Sequence, residues 1–171
     1  MKKVLIVPIP VLLILGFFAL PVIGDDTLVR FEGGIGVSPL RGTPAVPVAN
    51  TVQGVSPPGQ FWRISDLDAK IKTNGDIQVD GEGLLLAGGD TIGTNANQTV
   101  GATLFCGGVA SSTPHGVPLE PDGDFKIKDT LSPLPPPVCA NPVLLIRSFN
   151  TTTGVLGVWF AAGIPKSNKS D

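Results

Sequence analysis

Few side chains in this 171-residue chain have the chemistry to act on another molecule. It has two cysteines, Cys106 and Cys139, and one histidine, His115. In a chain that passes through an oxidising compartment, an even cysteine count reads as a disulfide, and two cysteines leave one intramolecular pairing. That bond would close a loop of 34 residues, counted from Cys106 to Cys139 inclusive. The rival reading is two separate buried thiols. No C-x-x-C pair is present, which argues against redox catalysis.

His115 lies in Thr113-Pro114-His115-Gly116. One histidine cannot build a multi-histidine metal site. Ser111 and Ser112 are near it in sequence, so a Ser-His-Asp arrangement is formally available. No G-x-S-x-G elbow accompanies them, and sequence neighbours are not how such triads assemble. His115 therefore reads as a loop residue in solvent. A glycosidase would need two carboxylates converging on a cleft, one of them with a raised pKa. Glu32, Glu82 and Asp66 are available for this. The absence of Tyr, with two Trp and eight Phe, leaves few stacking platforms for sugars. Calcium has slightly better material, in Asn74, Asp76, Asp80 and Glu82 and in Asp122, Asp124 and Asp129. Hard oxygen ligands suit Ca²⁺ outside cells, but neither run fits the twelve-residue EF-hand pattern, and Asp and Asn are ordinary turn residues. No catalytic, metal or cofactor-binding residue is assigned on this basis; calcium is the one cofactor left open.

The glycine clusters at 33–36 and 88–93 are not phosphate loops, since no helix signal follows and no lysine closes a P-loop. Trp62, in Gln60-Phe61-Trp62-Arg63, and the Trp159-Phe160 pair are the strongest hydrophobic anchors. Core packing is the plain reading of both. An exposed Trp62 beside Phe61 would instead be a partner contact, so Phe61 and Trp62 are the candidate contact residues. Sequons at Asn97, Asn150 and Asn168 matter only in a glycosylating host.

The elements that must position these residues are strands. Gly and Pro make up 39 of 171 residues, about twice the average share of roughly 12%. Both break helices. Beyond residue 24 the longest stretch free of both is Gln60–Asn74, which excludes a helical bundle. Leu28–Val37 reads as a first strand, and Ser38–Gln60, with five prolines, as a long loop with a short edge strand at Val46–Val52. In Ser65–Gly83, a three-residue loop Thr73-Asn74-Gly75 with Gly75 left-handed pairs Ile71 with Ile77 and Ala69 with Val79. That register buries one face, whereas a two-residue Asn-Gly turn would split the apolar residues between faces. It also sets Lys72 opposite Asp76. The competing two-turn helix from Ser65 would end at the same loop. Gly83–Ala87 reads as a strand buried on both faces. Thr99–Cys106 and Asp124–Leu131 alternate as strands around a loop at Gly107–Pro121. Ser132–Pro142 is extended and proline-rich, pinned by Cys139, and Val143–Phe149 and Val155–Ile164 close the set. Asn74-Gly75-Asp76 is echoed by Asp122-Gly123-Asp124, which repeated turn chemistry explains. About eight short strands point to an all-β antiparallel sandwich, Ig-like or jelly-roll-like, with a closed barrel as the alternative.

Residues 1–24 stand apart. Met1-Lys2-Lys3 is basic, Val4–Ile23 is uncharged, and Val22 and Gly24 occupy positions −3 and −1 before Asp25. This is a secretory signal pattern; the alternative is a retained anchor. Residues 25–165 then form one β domain and 166–171 a polar tail. Without the leader, 10 Lys/Arg face 14 Asp/Glu, a net charge of −4. That acidity argues against nucleic acid and anionic membrane surfaces as partners. The residues resemble no characterised family. The expectation is a secreted or periplasmic, non-catalytic protein that binds, or interacts structurally with, another envelope or extracellular protein or polymer. The class-different alternative is a small secreted hydrolase using carboxylates or His115. Mass spectrometry of the exported protein should find a mature chain that begins at Asp25; one that retains Lys2 would overturn the cleavage reading.

Overall fold

A computed structural model describes residues 26–43 and 45–166; the leader, its cleavage site, Asn168 and most of the polar tail lie outside these residues. The described residues form no helix. Thirteen strands follow one another: β1 Thr27–Gly36, β2 Leu40–Thr43, β3 Val46–Ala49, β4 Trp62–Arg63, β5 Asp66–Lys72, β6 Asp76–Glu82, β7 Leu85–Leu86, β8 Thr99–Cys106, β9 Val109–Ser112, β10 Val117–Pro118, β11 Phe125–Thr130, β12 Val143–Asn150 and β13 Val155–Pro165. Nine of them make a single antiparallel sheet in the order β10-β8-β12-β13-β1-β5-β6-β11, with β9 also on β8.

Alternation decides which face of each strand is buried. In β5, Leu67, Ala69 and Ile71 are buried; in β6, Ile77, Val79 and Gly81; in β11, Phe125 and Ile127. The residues between them are mostly charged and face solvent. The β5–β6 hairpin has the predicted register, Ile71 against Ile77 and Ala69 against Val79. Its loop turns on Gly75 at φ 86°, a left-handed conformation that costs a glycine little. The Asn74 carboxamide oxygen accepts the Asp76 amide at 3.0 Å, and Asp122 does the same for Asp124 at 3.2 Å. The sequence echo is thus one turn chemistry used twice. That register sets Lys72 opposite Asp76; the Lys72 ammonium pairs with Asp26 at 3.2 Å, while Asp76 takes the Asn74 amide and the Thr130 hydroxyl.

The sheet curls until its two ends meet, the element common to the sandwich and barrel readings. β9 and β10 are one interrupted strand along the free edge of β8. Beyond β11, Ser132 pairs with Ser112 of β9; their amides and carbonyls exchange bonds of 3.0 and 2.8 Å. Further along the same seam Glu120 N donates to Asp124 O at 2.9 Å. The curled sheet encloses one apolar cluster, in which Phe31, Ile71, Leu104, Leu144 and Ile146 are fully buried. Leu84, Leu85 and Leu86 are buried as expected, although only Leu85–Leu86 pairs as a strand, with β4. Gly107–Pro121 was expected to be loop and contains β9 and β10. Ser38–Gln60 contains a hairpin, β2 with β3, in place of a lone edge strand.

The two poles of the curled sheet differ. One gathers the 73–75 turn, the 107–108 turn and the proline-rich 131–142 connection, with Cys106 disulfide-bonded to Cys139 and Gly107 N donating to Ala140 O. The described chain also enters and leaves there: Thr73 N bonds Asp26 O, and Lys166 N bonds Arg30 O. The two longest connections, 37–65 and 83–98, lie at the other, long-loop pole together with 119–124 and the 151–154 turn. A disulfide is compatible with an oxidising compartment. The Cys106→Ser/Cys139→Ser pair should cost about 3–4 kcal/mol in urea unfolding, the chain-entropy value for a loop of this length; an unchanged midpoint would refute it.

Candidate binding face

The structure distributes the chemistry-bearing residues around the sheet. His115 sits at the interruption between β9 and β10, its side chain 80% exposed. Its amide and its Nδ1 both lie 3.2 Å from Asp129 Oδ2 on β11. The pair fills the gap in the seam between the Ser112–Ser132 and Glu120–Asp124 bonds. Neither nearby serine completes a triad. Ser111 is buried, shares a sheet face with Leu104, and has no hydrogen-bond partner for its hydroxyl. The Ser112 hydroxyl is bonded to Thr103 at 2.9 Å. His115 is better described as a clasp across the seam than as a base.

The candidate carboxylates lie mainly on the outer face of β1, β5, β6 and β11. Register sets Glu32 opposite Asp68, Asp68 opposite Asp80, and Asp80 opposite Lys126; Asp66 faces Glu82. Like charges directly across a ladder repel. Cations bound the row: Lys166 is ion-paired with Glu32 and Lys126 with Asp80. The hydrogen bond that Lys126 donates to Asp80, together with that carboxylate's charge, holds the Lys126 ammonium above its ordinary pKa. Glu82 and Glu120 share a concavity of about 340 Å³ with Asp80, Asp124 and Lys126. Asp124 Oδ1 there already accepts Gly83 N at 2.9 Å. Among the described residues no group of three or more His, Cys, Asp or Glu is placed to hold a metal ion. Asn74 and Asp76 sit at the disulfide pole, away from Asp80 and Glu82.

The structure separates the two candidate contact residues. Trp62 is 5% exposed and packs on Phe160 with ring centroids 4.4 Å apart, whereas Phe61 is 53% exposed. Trp62 belongs to the core, as does Trp159, whose indole NH donates to Asn50 O at 3.0 Å. Phe61 lies just before β4 and faces solvent.

Two features of the long-loop pole were given no role from the sequence. The first is the β2–β3 hairpin, exposed along both strands. Leu40, Val46 and Val48 are 55%, 65% and 44% exposed on it. Asn50 ties its base, with Nδ2 donating to Ser38 O and N to Pro39 O, both at 3.0 Å. Register sets Val46 and Val48 on one face of the hairpin and Leu40 on the other, beside Ala49; large apolar side chains left in water on both faces of one projecting element suit an interaction site that grips it. The second is Arg147 in β12. Its half-buried guanidinium donates to Gly157 O from Nε at 2.9 Å and from Nη2 at 2.7 Å, to Leu156 O at 3.0 Å and to Thr103 Oγ1 at 3.2 Å. Burial pushes its pKa below the usual arginine value. The side chain straps β12 to β13 beside the register shift between Arg147 and Phe149. A lone cation inside Val143-Leu144-Leu145-Ile146-Arg147 was the signal for it.

Arg147→Lys keeps the charge and loses the fork that reaches both carbonyls. The substitution should destabilise the protein by about 1–3 kcal/mol in urea; a wild-type midpoint would show that the strap is idle. No family model, curated protein or solved structure matches this chain.

Proposed function

We propose that this is a secreted or periplasmic, non-catalytic protein that engages an envelope or extracellular partner through its long-loop pole. The observation that carries this reading is the β2–β3 hairpin. Leu40, Val46 and Val48 project from a four-residue-strand hairpin that packs little against the body. Exposing them costs hydrophobic free energy that a partner surface would recover, about 25 cal/mol for each Å² of apolar area covered. Phe61 and Ile92 add exposed apolar surface on neighbouring loops of the same pole. The disulfide supports an oxidising location.

The hydrolase reading has one observation in its favour, the concavity shared by Glu82 and Glu120. It has less support than binding. Two of the four carboxylates there are already engaged, by Lys126 and by Gly83 N, and His115 is occupied at the seam.

The test uses Leu40→Ser/Val46→Ser/Val48→Ser. These side chains are outside the core, so the melting temperature should stay within about 2 °C of wild type. Cross-linking in the native envelope or secreted fraction should lose its adducts by tenfold or more. Undiminished adducts from a folded triple variant would reject the hairpin as the contact element.

A further inference from the structure

Three adjoining concavities run across the long-loop pole. The first, of about 580 Å³, lies along β12 and the 150–155 turn. It shares Gln98 and Ser148 with a second of about 370 Å³, which is backed by Trp62 and Phe160. The second shares Ala96 with a third of about 490 Å³ under the 91–97 loop. Through these shared residues they adjoin in a row, the trough, each section within the size range of small-molecule sites. None of its lining side chains is ionisable, in a molecule whose β5–β6–β11 face is dense with charge.

Amide and hydroxyl groups are set into a lining that is mainly apolar. Gln60, Asn97, Gln98 and Asn150 contribute carboxamides; Ser148, Thr153, Thr91 and Thr94 contribute hydroxyls. Several are uncommitted. Among the described residues the side-chain carboxamides of Gln60 and Asn97 and the Ser148 hydroxyl have no internal hydrogen bond, Gln98 Nε2 makes one local bond to Ala96 O at 3.3 Å, and Asn150 spends its carbonyl on the Thr152 and Thr153 amides while its Nδ2 stays free. Phe149, Val155 and Val158 supply an apolar strip beside them. Gly157 keeps the floor open, since a Cβ there would lie 2.5 Å from Ser148 Oγ. Arg147 holds that floor from behind.

We infer that this trough binds a linear, uncharged oligosaccharide. Such a chain presents vicinal hydroxyls, each a donor and an acceptor, which match carboxamides and hydroxyls that are themselves both. Its C–H faces suit the apolar strip. A charged polymer would meet no counter-charge, and an acyl chain would leave the amides unpaired. Three hollows in a row serve a polymer that places successive units in them better than a compact ligand. With few aromatic platforms, each sugar adds little, so affinity accumulates along the chain. The site is separate from the β2–β3 hairpin and shares no residue with it, so either can fail without the other.

Calorimetric titration tests it, with hexasaccharides of β-1,4-linked glucose, β-1,3-linked glucose and β-1,4-linked N-acetylglucosamine as probes, their disaccharides for length, and hexagalacturonate as the anionic control. At least one neutral hexasaccharide should bind, tenfold or more tighter than its disaccharide and with little dependence on salt. Gln60→Ala/Gln98→Ala should weaken it tenfold or more at an unchanged melting temperature. Gly157→Val should block it, and the Leu40→Ser/Val46→Ser/Val48→Ser protein should bind as wild type. Failure of every neutral probe, preference for hexagalacturonate, or affinity indifferent to Gln60→Ala/Gln98→Ala would each overturn the inference.

Discussion

A sheet that curls on itself must do something with its two edges, and here the rest of the structure depends on how they meet. Unpaired edges expose amides and carbonyls to any passing strand. The seam between β11 and the β9–β10 line is not a continuous ladder. One pole is held by the Ser112–Ser132 pair, the other by the Glu120–Asp124 bond. Between them the backbone bulges at 113–116, and the His115 amide and imidazole meet the Asp129 carboxylate. A side-chain clasp thus stands where backbone bonds would be. The core inside stays dry because the edges are brought together; Leu104, Leu144 and Ile146 are fully buried next to strands that would otherwise be open.

Closure also separates the surface by chemistry. Antiparallel strands that bury one face must put their polar residues on the other, so β1, β5, β6 and β11 present a field of carboxylates and ammonium groups. Charge is absent from the trough at the long-loop pole, where amides and hydroxyls replace it. The loops there are long enough to carry side chains that the core does not need, and the disulfide stiffens the opposite pole. Arg147 links the two designs: a cation placed within an apolar strand, it bonds only neutral oxygens among the described residues and fixes the wall of the uncharged trough.

Much of the strand framework was legible because period-two alternation and turn chemistry act locally. The register of β5 on β6 follows from Gly75 and from the need to bury Leu67, Ala69, Ile71, Ile77 and Val79 together. The Cys106–Cys139 bond follows from counting. What escaped reading has no local signature. β9 and β10 are four and two residues long and exist through pairing with β8. β2 hides in a proline-rich stretch because its partner, β3, satisfies the backbone from outside the main sheet. Phe61 and Trp62 are adjacent, so their separation into solvent and core depends on which face of β4 meets Phe160, a matter of tertiary packing. The trough draws on 58–62, 91–98, 121 and 148–160, and no single segment announces it.

The described chain enters at Asp26 and leaves at Lys166 at the same pole, with Asp26 O on Thr73 and Lys166 on Arg30. Any tether at either end, biological or engineered, therefore pulls on the disulfide side and leaves the opposite cap unobstructed. Copies strung head to tail would hang like pendants from a common line, each presenting its loops outward. Joining the two ends by a short linker and reopening the chain elsewhere would rewire the order of the strands while leaving the loop cap untouched.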